Sequence, residues 1–310
     1  MRILVTGGAG YIGSVLVPLL LGEGHEVTVL DNFMYGQSSL LDCCVDPRLT
    51  IVRGDVRDDR LVPGLVAKAD AVLPLACLTG APICAREPAA AQAINRDAVR
   101  AIADLMSPRQ LMVFPSTNSG YGVGEADIRC DEETPLRPVS LYGRLKVEIE
   151  SLLLDRGRVV TFRFATLFGV SPRMRLDLLV NDFTYRAVKD RFIVLFEPHF
   201  KRNYLHVRDA AGAFVHALDS YESMRGRPYN VGLSEANLSK WELCEAIRKH
   251  VGGFYFVAAA VGEDPDKRNY IVSNARIEQT GFKPAIDLDR GIAELVKGYQ
   301  IVHRGAYSNV

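Results

Sequence analysis

A glycine-rich segment near the start of the chain limits the possible folds more than any other feature. Residues 2–6 are almost wholly apolar, which is typical of a strand buried on both faces of a parallel sheet. Glycines follow at positions 7, 8, 10 and 13, and the apolar stretch at residues 12–21 predicts a helix. Residues 26–30 predict a second strand, so the chain begins with a βαβ unit of about thirty residues.

The spacing of the glycines suits the binding of a dinucleotide. Gly7 permits a tight turn, Gly10 lets the backbone approach a pyrophosphate, and Gly13 lets helix and sheet pack closely. Amide groups at the N-terminus of the helix favour anionic phosphates. We therefore predict that these glycines, with Tyr11 and Ile12, bind a dinucleotide cofactor.

Two aspartates that follow predicted strands are candidates for the rest of this site. A carboxylate at Asp31 can accept hydrogen bonds from both ribose hydroxyls and repels a 2′-phosphate, which favours NAD over NADP. Asp31-Asn32 is also a common way to begin a turn. Asp55 is either a partner of the adenine amino group or a helix cap. We predict that Asn32 and Val56 lie in the same cofactor site.

Strands and helices continue to alternate. The predicted strands are residues 49–52, 71–75, 111–115 and 159–164, and the predicted helices are residues 59–68, 89–106 and 142–155. This alternation predicts an α/β fold of the Rossmann type with a doubly wound parallel sheet.

The character of the sequence changes after about residue 166, where prolines and basic residues become frequent. We predict a cofactor-binding domain at residues 1–170, to which residues 203–233 return through a strand at 229–231. Residues 171–202 and 234–303 are predicted to form a smaller α/β lobe that binds substrate.

Composition excludes several classes of protein. The 37 basic and 37 acidic side chains balance, whereas non-specific nucleic-acid binders carry a basic excess. The six cysteines form no CxxC pair, so no metal site is predicted. The first strand leaves no room for a signal peptide, and the apolar run at residues 15–21 is too short to span a bilayer. We predict a cytoplasmic protein with no nucleic-acid or membrane partner.

Tyr142 and Lys146 are the candidate catalytic pair. Their spacing puts them on one face of a helix, where the ammonium would lower the pKa of the phenol. Such a tyrosine can exchange a proton with a substrate hydroxyl while hydride moves to nicotinamide, and the lysine can hold the nicotinamide ribose. The same spacing is common on solvated helix faces. A hydroxyl from residues 116–119, after the preceding strand, could share the substrate proton.

Several segments together resemble the extended short-chain dehydrogenase/reductase family, especially its NAD-dependent nucleotide-sugar epimerases and dehydratases. They are TGGAGYIG, Asp31-Asn32, GDVRD, Asn95, STNSGYG, YGRLK and RNYLHVRD. The resemblance covers nearly the whole chain. The resemblance implies bound NAD and a homodimer built from the helices at 89–106 and 142–155. It selects Thr117 as the catalytic hydroxyl and implies that Leu75, Ala76 and Asn95 lie at the cofactor.

The resemblance also implies a substrate that is a nucleotide-diphosphate sugar, linked to GDP, UDP, CDP or dTDP. The basic residues available to its phosphates are Arg173, Arg175, Lys201, Arg202, Lys267 and Arg268. Arg202 and Arg268 are the best candidates by resemblance, and a surface ion pair is the alternative for each arginine. Asn181 is either a substrate contact or a helix cap.

Asn118 and Ser119 follow Thr117 and are predicted to contact the substrate. Related 4,6-dehydratases carry carboxylates there, so dehydration is disfavoured. We predict oxidation of a sugar hydroxyl, at C4, for a surface-polysaccharide or sugar-nucleotide pathway, as in a 4-epimerase. The alternatives are a net 4-dehydrogenase of the GDP-heptose type, a 2-epimerase, a 4,6-dehydratase and a non-catalytic NAD-binding protein.

Overall fold

Fourteen strands are formed by the residues that the computed structural model describes, which are residues 1–123, 129–263 and 268–302. The strands are β1 Arg2–Thr6, β2 Glu26–Asp31, β3 Leu49–Arg53, β4 Ala71–Pro74, β5 Leu111–Thr117, β6 Arg129–Cys130, β7 Val159–Phe164, β8 Thr166–Phe168, β9 Phe192–Leu195, β10 Lys201–His206, β11 Arg227–Val231, β12 Asn237–Ser239, β13 Tyr255–Ala258 and β14 Ile271–Val272.

Twelve α-helices are formed by the same described residues. They are α1 Gly13–Gly22, α2 Val62–Val66, α3 Ala81–Arg86, α4 Pro88–Gln92, α5 Ala98–Leu105, α6 Leu141–Asp155, α7 Leu179–Lys189, α8 Val207–Asp219, α9 Tyr221–Met224, α10 Lys240–His250, α11 Ala275–Glu278 and α12 Leu288–Gly298. None of these helices is long and apolar enough to span a membrane.

Seven parallel strands form the central sheet, in the order β11-β7-β5-β4-β1-β2-β3. Leu16 of α1 and Phe214 of α8 pack on one face, while Ile102 of α5 and Ile149 of α6 pack on the other. Helices on both faces of a parallel sheet confirm the predicted α/β, doubly wound architecture. Strands β1 to β3 extend the sheet to one side and strands β4, β5, β7 and β11 extend it to the other, so the strand order switches direction between β1 and β4. Folds of this kind bind ligands at that switch point.

A second hydrophobic core lies in the smaller lobe, where Leu195, Tyr204, Leu243 and Ile292 are buried together. The lobe contains the three-stranded sheet β12-β10-β8 and the pair β13-β9. Of the predicted return to the large sheet at residues 203–233, only β11 joins it, beside β7. Strand β10 pairs with β8 and β12 instead.

Several predicted element boundaries differ from those in the structure. The helix predicted at 59–68 is limited to α2. The Asp58 carboxylate accepts hydrogen bonds from the amides of residues 60 and 61, which holds these residues in a turn before the helix. The helix predicted at 89–106 is interrupted by a π-helical segment, Ala93–Asp97. The strand predicted to end at residue 115 continues to Thr117 because β7 pairs with it that far.

Candidate active site

A cavity of about 860 Å³ lies at the carboxyl ends of the central strands and extends to the smaller lobe. Nineteen of the predicted site residues line it: Gly7, Gly10, Tyr11, Ile12, Gly13, Asp31, Asn32, Asp55, Val56, Leu75, Ala76, Thr117, Ser119, Tyr142, Lys146, Arg173, Arg175, Arg202 and Arg268. Its volume suits a cofactor or ligand pocket.

The glycine turn cannot accommodate side chains. Gly7 has a φ of 69°, and a Cβ atom there would lie 2.6 Å from the amide nitrogen of Ala76. A Cβ atom on Gly13 would lie 2.4 Å from the carbonyl oxygen of Gly8. The turn is therefore a cradle of bare backbone at the start of α1, which suits a pyrophosphate.

Asp31 is held in a fixed orientation at the end of β2. Its carboxylate accepts hydrogen bonds from the amides of Ala9 (3.0 Å) and Phe33 (2.8 Å) and from the side chain of Gln37 (3.3 Å). Burial raises the pKa of Asp31. The residue thus shapes a turn and also lines the cavity, so its two predicted roles are compatible.

Asp55 lines the cavity near Asp31 and Asn32. Its carboxylate accepts hydrogen bonds from the guanidinium (2.7 Å) and the amide (2.9 Å) of Arg57, and the guanidinium lowers the pKa of Asp55 to about 2. The group is ionised at neutral pH and can accept a further hydrogen bond, for instance from an amino group.

Tyr142 and Lys146 reach the cavity from α6, which begins where the Ser140 hydroxyl accepts a hydrogen bond from the amide of Gly143. The Lys146 ammonium donates to the carbonyl of Pro115 at 2.8 Å. Burial raises the pKa of Tyr142, and the positive charge of Arg175 acts against this shift. The predicted lowering of this pKa by Lys146 is not what the structure shows, because burial dominates.

Thr117 is connected to the smaller lobe through Ser119. The Thr117 hydroxyl donates to the Ser119 hydroxyl at 3.0 Å and accepts from the Ser119 amide at 3.1 Å. The guanidinium of Arg268 also donates to the Ser119 hydroxyl. The predicted catalytic hydroxyl and a predicted phosphate-binding arginine are therefore two hydrogen bonds apart.

The other predicted arginines are buried in the cavity wall. Arg175 forms an ion pair with Asp177 at 2.5 Å. The guanidinium of Arg173 lies 4.5 Å from the ring centre of Tyr35, and Arg202 donates to the carbonyl of residue 201 at 2.9 Å. Arginines stacked or paired in this way keep donors in fixed directions. Among the other predicted cations, the Lys201 side chain is not part of the wall, and Lys267 lies outside the described residues.

Three predicted site residues do not line the cavity: Asn95, Asn118 and Asn181. Asn95 holds the segment after β4, since its amide group binds both the N–H (2.8 Å) and the carbonyl (2.9 Å) of Leu78. Asn181 is neither a cap nor part of the cavity wall; it accepts from the amide of Gly169 at 2.9 Å and donates to the carbonyl of Arg175 at 2.8 Å.

Asn118 is 1% exposed, and its side-chain amide has no hydrogen-bond partner in the described part of the chain.

Sequence reasoning missed several lining residues: Tyr35, Gln37, Cys77, Leu78, Thr79, Asp177, Asp182, Lys240 and Tyr270. Those directly after β4 could have been found, because the carboxyl ends of parallel strands face the ligand site. Lys240 and Tyr270 carry no local signal, because the packing of the smaller lobe brings them to the cavity.

Replacing Gly7 by alanine is expected to lower the free energy of unfolding by about 2 to 4 kcal/mol, through positive-φ strain and overlap with Ala76. Thermal denaturation measures this, and calorimetry should show loss of dinucleotide binding. Gly22→Ala is the matched control, because a Cβ atom there meets nothing within 4 Å. Equal stability and binding of the two variants would contradict the proposed cradle.

Replacing Asp31 by asparagine is expected to weaken NAD binding about tenfold, because a charge-assisted hydrogen bond is lost. Affinity for NADP should fall less, since repulsion of the 2′-phosphate also disappears. Titration calorimetry with both cofactors gives the ratio. Asp42→Asn, at an exposed position away from the cavity, is the control. An unchanged NAD/NADP ratio would exclude a ribose contact.

Comparisons with known proteins agree with this geometry. The model of the NAD dependent epimerase/dehydratase family matches residues 3–232. A dTDP-glucose 4,6-dehydratase from Streptomyces niveus is 30% identical over 97% of this chain and 93% of that protein. A UDP-glucose 4-epimerase from Lactobacillus helveticus is 26% identical over 92% of each chain.

Solved structures show the same similarity. The UDP-glucose 4-epimerase of Thermus thermophilus, in complex with NAD, superposes with a TM-score of 0.81 at 26% identity, over 98% of this chain and 100% of that one. DesIV, a dTDP-glucose 4,6-dehydratase from Streptomyces venezuelae solved with NAD, has a TM-score of 0.82 at 25% identity, over 97% of each chain. The chain therefore belongs to the NAD-dependent epimerase/dehydratase family, its cofactor is NAD, and it is an enzyme.

Proposed function

We propose that the enzyme oxidises a hydroxyl, at C4, of the sugar in a nucleotide-diphosphate sugar. One observation carries the proposal: Thr117, Tyr142 and Lys146 line the same cavity as Arg202 and Arg268 of the smaller lobe. The cavity thus offers a proton acceptor to the sugar end of one substrate and hydrogen-bond donors to its phosphates.

Tyr142 takes the proton of the sugar hydroxyl, and Thr117 shares it. NAD, held by the glycine turn and Asp31, would supply the acceptor for the hydride of the sugar carbon. Thr117 donates its proton to Ser119 and accepts one hydrogen bond from the Ser119 amide, so its second lone pair can accept from the sugar hydroxyl. Burial opposes ionisation of Tyr142, while the cations Arg175 and Arg268 favour the phenolate.

The substrate class is supported by the cations of the wall and by the relatives, whose names contain UDP-glucose and dTDP-glucose. We propose that Arg202 and Arg268 bind the diphosphate in bidentate fashion, with Arg173 and Arg175 nearby. We propose GDP, UDP, CDP or dTDP as the nucleotide. From the sequence, we propose that the substrate is a GDP-heptose or another nucleotide sugar of surface-polysaccharide synthesis.

Epimerisation or net oxidation is favoured over dehydration by the residues after Thr117. Asn118 and Ser119 carry no carboxylate for the removal of water. Among the described aspartates of the cavity wall, Asp31 and Asp55 belong to the predicted cofactor end. Asp177 is paired with Arg175, and Asp182 is paired with Arg186 at 3.0 Å.

A Tyr142→Phe variant is expected to bind NAD normally and to lose turnover about 10²- to 10⁴-fold, because it lacks the proton acceptor. Steady-state kinetics and identification of the bound cofactor measure both properties. Tyr255→Phe, at a 71% exposed tyrosine, is the control. Unchanged turnover in Tyr142→Phe would show that Tyr142 is not the proton acceptor.

The reaction itself is tested by incubating the enzyme with GDP-, UDP-, CDP- and dTDP-sugars and identifying the products by mass spectrometry and NMR. An isomer without accumulation of reduced nicotinamide identifies an epimerase, at C4 or C2. A product lacking two hydrogens, with reduced nicotinamide, identifies a dehydrogenase. Loss of water would contradict the argument from Asn118 and Ser119, and no turnover with any sugar would contradict the proposal.

We also propose a homodimer in which the helical segments at residues 89–106 and 142–155 of each subunit form a four-helix interface. Sedimentation at micromolar concentration should give twice the 34.2 kDa mass of one chain. A monomer alone would refute the dimer.

The cytoplasmic location predicted from the sequence stays a prediction.

A further inference from the structure

Helix α6 carries a third polar residue in line with the proposed catalytic pair. Tyr142, Lys146 and Glu150 are spaced by four, which puts them on one face of the helix. Tyr142 and Lys146 line the cavity, whereas Glu150 does not and is only 1% exposed. Glu150 takes no part in the proton transfer proposed above. A carboxylate buried to this extent is costly unless it is paired, so its partners indicate its role.

Lys146 and Glu150 bind consecutive residues of β5. The Lys146 ammonium donates to the carbonyl of Pro115 at 2.8 Å, and the Ser116 hydroxyl donates to the carboxylate of Glu150. Thr117 is the next residue of the strand. Two successive turns of α6 are therefore fastened to β5 directly before the catalytic hydroxyl.

Glu150 also binds the neighbouring strand. The Arg163 guanidinium of β7 lies 2.7 Å from the Glu150 carboxylate, and the two side chains are 7% and 2% exposed. Ser116 and Arg163 are partners in the register of β5 and β7, so both side chains project from the same face of the sheet. A single carboxylate thus joins α6 to two adjacent strands.

Arg163 extends these contacts to the segment that follows Thr117. Its guanidinium donates to the Tyr121 hydroxyl and to the carbonyl of Glu132, both at 3.1 Å. Tyr121 ends the short 3₁₀ helix that begins directly after Thr117. The network centred on Glu150 therefore holds the chain both before and after Thr117.

We propose that Glu150 is a positioning residue: through Ser116 and Arg163 it fixes where α6 lies along β5, and so sets the placement of Tyr142 relative to Thr117. The inference rests on the proposed function, since those two residues must meet the same sugar hydroxyl. An ion pair that only stabilises the core would have a different consequence, because it would affect unfolding without affecting the reaction of the folded enzyme.

The test compares NAD-loaded Glu150→Gln and Ser116→Ala enzymes with the wild type on whichever nucleotide sugar it turns over. We expect kcat to fall about tenfold to a hundredfold at a KM within about twofold, because small displacements of reacting groups slow the reaction. Glu222→Gln is the matched control, since Glu222 lies outside the cavity wall and the proposed dimer helices, is 74% exposed and is paired with Arg225 at 3.1 Å. Its kcat should be unchanged.

Ser116→Ala removes only the bond between helix and strand and keeps the Glu150–Arg163 pair, so it tests the proposal even where Glu150→Gln fails to fold. A second measurement needs no substrate: titration of the phenolate absorbance of Tyr142, taken as the difference from the same protein carrying Tyr142→Phe. Burial raises the pKa of Tyr142. Water admitted by a loosened helix should therefore move its titration to lower pH in both variants, and not in Glu222→Gln.

The outcomes separate this inference from the proposed function. A wild-type enzyme that turns over no nucleotide sugar contradicts the proposed function, while the titration of Tyr142 still tests the role of Glu150. Variants that melt at lower temperature but keep the wild-type kcat and the wild-type titration of Tyr142 would overturn the inference and leave Glu150 as a structural ion pair.

Discussion

The backbone of the first turn lies so close to the segment after β4 that no side-chain atom fits between them. A Cβ atom on Gly7 would lie 2.6 Å from the amide nitrogen of Ala76. These residues follow β1 and β4, the strands between which the chain reverses direction across the sheet. The close approach therefore fixes the floor of the cavity at the position where doubly wound sheets bind ligands.

The smaller lobe is tied to the larger one beside this turn. The Tyr11 hydroxyl donates to the carbonyl of Gly169 at 2.8 Å, and the Ser171 hydroxyl donates to the carbonyl of Tyr11 at 2.8 Å. Each lobe has its own hydrophobic core. The cavity lies between two separately packed bodies, so its polar groups come from both without weakening either core.

Buried charges in and beside the cavity are satisfied by protein groups. Arg175 pairs with Asp177, and Arg163 pairs with Glu150. Such pairs add little net stability after desolvation, but each is costly to break. They therefore fix orientation: one holds a cation in the cavity wall, and the other holds α6 against β7.

Local spacing determined the parts of this protein that depend on neighbours in sequence. The glycine turn, the carboxylate of Asp31 and the Tyr142/Lys146 face all lie within one βαβ unit or one helix, where geometry follows from residue order. The parallel, doubly wound sheet followed equally from the alternation of strands with helices. Only the tertiary structure decided which side chains converge on the site from distant parts of the chain. Ser119 and Arg268 are hydrogen-bonded although they are 149 residues apart. Burial, which raises the pKa of Tyr142, is likewise a property of the assembled walls. These features depend on how two hydrophobic cores pack beside each other, and no spacing along the sequence encodes that arrangement.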